Sequence, residues 1–323
     1  MGIVQALRFV IFGTLAALAV SAAAQYPDKP IRVIVPFLAG GTADTLARIV
    51  TPKLTAAWGQ PIVVDNRSGA GGNVGADAVV KSAPDGYTML FTPPGPLSIN
   101  MYLYREMPFD ARTAFAPVSV LGVMPNILMI GPRVAAKDVG ELIAFAKANP
   151  GKLSYGSQGV GSTPHLTGAM LADAAGIDIV HVPYKGFPPI LADLLGGRID
   201  FAFSDTGNVL PQLRNERVRA VAVASAIRFN ALPDVPTMIE AGYPDFVSGA
   251  WMSFAGPAGL PQDIARKWHE ELGRVIKMPD ILARFTTLGV EAWASSPEEM
   301  QKFMESESKR WGDVVKRTGA RAS

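Results

Sequence analysis

The sequence predicts an α/β protein of two lobes, each a mainly parallel sheet flanked by helices. Three observations predict it. The chain has 323 residues, long for one domain and comfortable for two. Its short apolar segments show little polar alternation and are separated by helical patterns, as parallel strands covered on both faces do. The strand–helix alternation also runs through twice, restarting at Asn126, without any internal sequence repeat.

Taken in order, residues 31–35 (Ile-Arg-Val-Ile-Val) predict a buried strand. Residues 44–57 predict a helix with Leu46, Ile49, Val50 and Leu54 on one face. Ile62-Val63-Val64 reads as a strand, 73–82 as a helix, and 87–91 and 117–123 as strands. The second run has strands at 126–130, 153–155, 179–182, 199–203 and 218–224, with helices at 139–148, 164–175 and 188–195. Met252-Ser253-Phe254 adds a strand, and the chain closes in helices. The last starts at a capping box: Ser296 caps, Pro297 suits the first helical position, and Glu299 reaches back.

No Ser/Gly/Pro linker separates the two runs. Two chain crossings, near 122–125 and 246–250, instead divide the chain. One lobe is expected to be discontinuous, 25–124 plus 249–323, and the other to span 125–248. Two crossings between rigid lobes make a hinge.

The N-terminus predicts export. Residues 1–8 carry one positive charge, and 9–24 form an apolar run interrupted only by Gly13, Thr14 and Ser21. The run ends in Ser21-Ala22-Ala23-Ala24, small residues suited to a signal peptidase, so 1–24 is expected to be a signal peptide cleaved after Ala24. A bacterial signal of this type predicts a soluble protein of the periplasm. With no Cys to follow it, no lipid anchor is expected.

Net charge is +2 and Lys and Arg are dispersed, which excludes the electrostatic footprint of nucleic-acid binding. The absence of Cys excludes disulfides, thiolate zinc sites and a cysteine nucleophile. His165, His181 and His269 form no helical HExxH pair, so no metal is expected. Gly69-Ala70-Gly71-Gly72-Asn73-Val74-Gly75 tempts a dinucleotide reading, but Val74 occupies the third-glycine position. There is no Walker motif, and no cofactor is expected.

Two loop-to-helix junctions carry the chemistry. In Pro36-Phe37-Leu38-Ala39-Gly40-Gly41-Thr42-Ala43-Asp44 a strand leads into a helix through paired glycines. The first turn of a helix has unpaired N–H groups and about half a positive charge, so an anion binds there without Arg or Lys. Thr42 adds a hydroxyl. In Gly156 to His165 the same arrangement recurs, with Gly161 in the loop, Ser162 or Thr163 as cap and Pro164 at the first position. Each loop alone is also consistent with an ordinary glycine turn. In matching positions of two lobes, at carboxyl ends of strands, they point to one shared anion site. Tyr184 and Lys185 follow a buried strand, and Ser204 and Asp205 end another, so both pairs are expected near the cleft mouth. Asp44 and Asp205 are acids beside an anion site, suited to orienting loops or to receiving an ammonium. Phe37, Leu38, Pro94, Phe187, Ser204 and Asp205 are expected to line the distal pocket, Phe37, Leu38 and Phe187 suiting an apolar or aromatic body and Asp205 an amine.

These motifs resemble the substrate-binding proteins of tripartite tricarboxylate transporters, the Bug family. The resemblance runs from Tyr26 nearly to the C-terminus. It rests on Tyr26-Pro27-Asp28-Lys29-Pro30-Ile31-Arg32, Gly40-Gly41-Thr42-Ala43-Asp44, Asp65-Asn66-Arg67, Gly69-Ala70-Gly71-Gly72 and Pro84-Asp85-Gly86-Tyr87. It continues in Gly161-Ser162-Thr163-Pro164-His165, His181-Val182-Pro183-Tyr184-Lys185-Gly186 and Pro233-Asp234-Val235-Pro236-Thr237. The resemblance implies a two-lobed periplasmic binding protein of the Venus flytrap, type II-like kind. It implies that the 40–44 and 161–165 loops hold a small carboxylate ligand, partly through waters, and that large and small membrane transporter subunits are its partners. Ala39 stands where the family pattern has proline, a departure expected to loosen the loop or alter a pocket wall. Two rival functions stay open. One is a ligand sensor for a two-component sensor kinase. The other is an exported α/β hydrolase using Ser162, His181 and Asp205, although no Gly-x-Ser-x-Gly elbow accompanies them.

Overall fold

In the computed structural model, which describes residues 26–213 and 218–322, the chain builds one continuous run of strands that serves two halves. The predicted signal peptide lies outside the described residues. In the first half β1 (Ile31–Val35) pairs in parallel with β2 (Ile62–Asn66) and with β3 (Thr88–Thr92). Helices α1 (Thr42–Trp58) and α2 (Asn73–Val80) connect them. The second half repeats this with β5 (Leu153–Ser157), parallel to β6 (Ile179–Pro183) and β7 (Phe201–Asp205). Its helices are α3 (Val139–Ala148), α4 (Thr163–Ala175), α5 (Phe187–Leu195) and α6 (Thr206–Leu213).

The strands that join the halves pair antiparallel. β4 (Phe115–Ile130) is a single strand of 16 residues, where the sequence suggested two. Its first part pairs with β9 (Gly249–Pro257), and its last residues pair with β7 and with β8 (Arg219–Val223). The change of partner falls at Pro125, which lies opposite Gly249. Proline has no N–H to give the ladder, so a ladder tolerates it where pairing switches. The Asn126 N–H resumes by donating to the Ser248 carbonyl at 2.9 Å. Both crossings are therefore strands, β4 and β9, lying side by side.

Helices α7 (Gln262–Val275), α8 (Pro279–Thr287) and α9 (Pro297–Thr318), with the short β10 (Glu291–Ala292), complete the chain. The capping box forms as the sequence predicts: Glu299 N–H donates to Ser296 Oγ at 3.1 Å, and Ser296 N–H to Glu299 Oε2 at 2.7 Å. The far end of α9 departs from the expected division, which gave 249–323 wholly to the first half. Met300 and Met304 pack with Leu90, Val120 and Trp251, whereas Trp311, Val314 and Val315 pack with Leu166 and Phe203. A helix of 22 residues spans about 33 Å, too long for one half to cover. Glu307 sits at the change-over. It is buried, and accepts from the indoles of Trp251 at 3.3 Å and Trp311 at 3.0 Å. Among the described residues no helix is long and apolar enough to cross a membrane.

Candidate functional site

Both glycine junctions form as strand–loop–helix units, and both open on the same cavity between the halves. Thr42 is the first residue of α1, with Gly41 as a cap that contributes no side chain. Gly40 takes a left-handed φ of 84°, which a side chain would resist. Thr163 is the first residue of α4, where Ser162 Oγ caps by accepting from the His165 N–H. Pro164 follows Thr163 rather than opening the helix. The chamber between these helix starts has a volume of about 40 Å³, room for about three waters. Phe37, Leu38, Phe187 and Met252 supply its apolar wall, and Thr42, Gln158, Ser162, Thr163, Asp205 and Asn208 its polar wall. Among the described residues no Lys, Arg or His lines it. An anion there is therefore met by neutral donors and by the starts of α1, α4 and α5, the last through Gly186 and Phe187.

A hydrogen-bond network crosses the chamber from one half to the other. Thr42 Oγ1 donates to Asp205 Oδ1, and the Thr42 N–H donates to Asn208 Oδ1 at 3.1 Å. Asn208 returns two donors to Asp205, its N–H at 3.2 Å and its Nδ2 at 3.0 Å. Burial pushes the Asp205 carboxyl upward, against these donors. Gly207 is required for this approach, because a Cβ there would stand 2.5 Å from Thr42 Cγ2. Thr206 adds a further contact, its hydroxyl donating to the Gly289 carbonyl at 2.7 Å.

Several expected site residues lie outside the chamber wall. Asp44 turns back on its own loop: Gly40 N–H donates to Oδ2 at 3.0 Å and Arg48 Nε to Oδ1 at 2.9 Å. This brace, with Asn66 Nδ2 on the Phe37 carbonyl at 3.0 Å, holds the loop. Ala39 is exposed and forms none of the wall. Gly40 and Gly161 shape the loops without lining the cavity. His165 packs under its loop, stacked on His181 with ring centroids 4.2 Å apart. Burial, and for His165 the neighbouring His181, holds the pair low, His165 at about 3 and His181 at about 4, so both rings are neutral at pH 7. His165 Nδ1 accepts from the Gly161 N–H at 3.4 Å, bracing the loop. Ser204 lies behind the wall, accepting from Gln158 and Asn208. Tyr184 and Lys185 line a neighbouring pocket of about 210 Å³, reached past Phe37 and Gln158 and walled by 69–72. Pro94 is flanked by the wall residues Pro93 and Gly95.

The hydrolase constellation does not assemble. Ser162 Oγ donates to the Gly159 carbonyl at 2.7 Å, His181 Nε2 meets Ser157 Oγ at 2.7 Å, and Asp205 is held by Thr42 and Asn208. Among the described residues no group of His, Cys, Asp and Glu is placed to hold a metal. Wider grooves lie elsewhere, beside α9, behind the crossing strands and beside Tyr26 and Trp58, and none of these receives the first turn of a helix.

The sequence model of the tripartite tricarboxylate transporter family receptor matches residues 46–320. This chain belongs to that family. It is 35% identical over 297 residues to the protein BugT of Bordetella pertussis, covering 92% of this chain and 91% of BugT. The R. palustris protein Rpa4515, solved with adipate, superposes with a TM-score of 0.89 at 34% identity, covering 92% of this chain and all of that one. MatC of Rhodopseudomonas palustris, solved with malate, gives a TM-score of 0.86 at 32% identity, covering 90% of this chain and all of MatC. The fold of this family receptor is thus the two-halved α/β fold of periplasmic binding proteins.

Sequence reasoning missed Gln158, Asn208, Pro93 and Gly95 as wall residues of this receptor. Thr206-Gly207-Asn208 begins α6, a helix hidden by Gly207 and Pro211, both poor helix formers. Pro93 and Gly95 sit in a proline-rich stretch that reads as a loop but holds a π-turn at Gly95–Ile99.

Proposed function

We propose that this chain is a periplasmic receptor, without catalytic activity, that captures a small carboxylate between its halves. The closed form is presented to the large and small membrane subunits of a tripartite tricarboxylate-type transporter. The observation that carries this reading is the convergence of two helix starts, at Thr42 and Thr163, on one chamber that no cation among the described residues lines. Adipate and malate in the related structures support the ligand class. Residues 25–124 plus 249–323, less the far end of α9, act as one lobe and 125–248 as the other, hinged on β4 and β9. The ligand carboxylate takes the free N–H groups of both helix starts, and Phe37, Leu38 and Phe187 cover its carbon chain. Gly40, Asp44, Gly161 and His165 hold the two loops in shape, and Lys185 and Tyr184 stand at the outer pocket. Export is by the signal peptide 1–24.

The test is a thermal-shift screen of the mature protein against mono-, di- and tricarboxylates, aromatic acids and amino acids. At a hundred times Kd a ligand adds about 2.7 kcal/mol, a rise of roughly 5 °C in Tm. At least one small carboxylate is expected to produce that rise. A flat response to every carboxylate at millimolar concentration overturns the reading.

A further inference from the structure

Gln158 lines both the chamber and the neighbouring pocket. One end of its amide is committed, with Nε2 donating to Ser204 Oγ at 2.8 Å. Asn208 Nδ2 donates to the same oxygen at 3.1 Å, and Asn208 is itself oriented by the Thr42 N–H. The other end of the amide, Oε1, is buried without a hydrogen-bond partner. Buried amide oxygens are rarely left unmatched, because the desolvation is not repaid. Asp77, Asn100, Asn126 and His269 also carry an unmatched buried atom, but none of them lines the chamber. Among the other polar side chains of the chamber, Thr42, Asp205 and Asn208 engage one another and Ser162 engages Gly159 and His165.

We propose that Gln158 Oε1 reads a hydrogen-bond donor on the ligand, a hydroxyl or an ammonium carried next to the carboxylate that the helix starts hold. The inference rests on the carboxylate-receptor reading and names the ligand class within it. Gln158 lines the same chamber as Ser162 and Thr163 at the start of α4, so the donor it meets is carried close to the carboxylate held there. An acid without a donor leaves Oε1 dry when the halves close. An acid with one supplies the partner that Oε1 lacks. An ammonium would gain further from Asp205, the one ionisable side chain on the wall among the described residues.

The test is calorimetric titration of wild type and Gln158→Leu. The probes are saturated mono- and dicarboxylic acids of three to six carbons, each as the parent, the 2-hydroxy and the 2-amino form. At the chain length that binds best, a donor-bearing form is expected to bind wild type about tenfold tighter than its parent, and Gln158→Leu to shrink that ratio to about twofold or less. Either donor form satisfies the proposal. Equal binding of parent and donor forms by wild type overturns it, as does a Gln158→Leu variant that weakens both alike. Should Gln158→Leu not fold, Ser204→Ala releases the amide anchor and must shrink the same ratio; an unchanged ratio overturns the proposal. If no acid of the series binds wild type, the receptor reading itself fails and the inference falls with it. Binding without the preference removes the inference alone.

Discussion

Gly161→Ala is expected to weaken ligand binding by roughly a hundredfold. Gly161 has a φ of 92°, in the left-handed region that resists side chains. A Cβ there would also lie 1.8 Å from Asn100 Oδ1. Asn100 is fully buried and cannot withdraw, because its Nδ2 is held by the Gly71 carbonyl at 3.1 Å and by Asn73 Oδ1 at 2.6 Å. The 159–162 loop must move instead, and with it the Ser162 cap and the start of α4. Strain and displaced packing together cost about 3 kcal/mol, which corresponds to roughly a hundredfold in affinity. Gly176→Ala is the control. Gly176 has a φ of 60° but nothing within 4 Å, so about 1 kcal/mol of backbone strain and no change in affinity are expected. Titration calorimetry with a ligand found in the screen measures both. Gly161→Ala binding as wild type would contradict the geometry.

The second large effect is expected from Thr42→Val, which removes one hydroxyl at nearly constant volume. The buried Asp205 carboxyl then loses a donor that crosses between the halves. Leaving a buried acceptor one donor short costs about 1–3 kcal/mol, so closure weakens by about five- to a hundredfold and apparent affinity falls with it. A cycle with Asp205→Ala separates this latch from direct contact with the ligand. If the hydroxyl acts through Asp205, Thr42→Val adds little in the Asp205→Ala background. Additive losses would mean that Thr42 Oγ1 and Asp205 serve the ligand independently.

Most of the architecture was legible because the period of the apolar pattern changes cleanly between strand and helix. Residues 31–35 and 44–57 were read close to their observed limits, since Leu46, Ile49, Val50 and Leu54 leave one helical solution. The capping box at Ser296 was legible because its chemistry is local. What escaped was non-local. Nothing in 115–130 says that one strand serves two sheets, because that depends on Gly249 arriving opposite Pro125. Nothing in 297–318 says which half each turn of the helix will cover. At the site, both helix starts were legible from glycines followed by caps. The direction each side chain takes was not. Asp44 faces its own loop because Gly40 and Arg48 supply donors there, and His165 faces inward because His181 arrives from a neighbouring strand. Gln158 and Asn208 gained their place from the Ser204 hydroxyl between them, a meeting that only the β5–β7 pairing brings about.

The most direct measurement is a crystal structure of the protein with a carboxylate that stabilises it. The carboxylate oxygens should lie about 2.7–3.2 Å from main-chain N–H groups at the starts of both α1 and α4, beside Thr42 and Thr163. A ligand whose carboxylate is gripped by a cationic side chain such as Lys185, or which sits in either outer groove, would contradict the account.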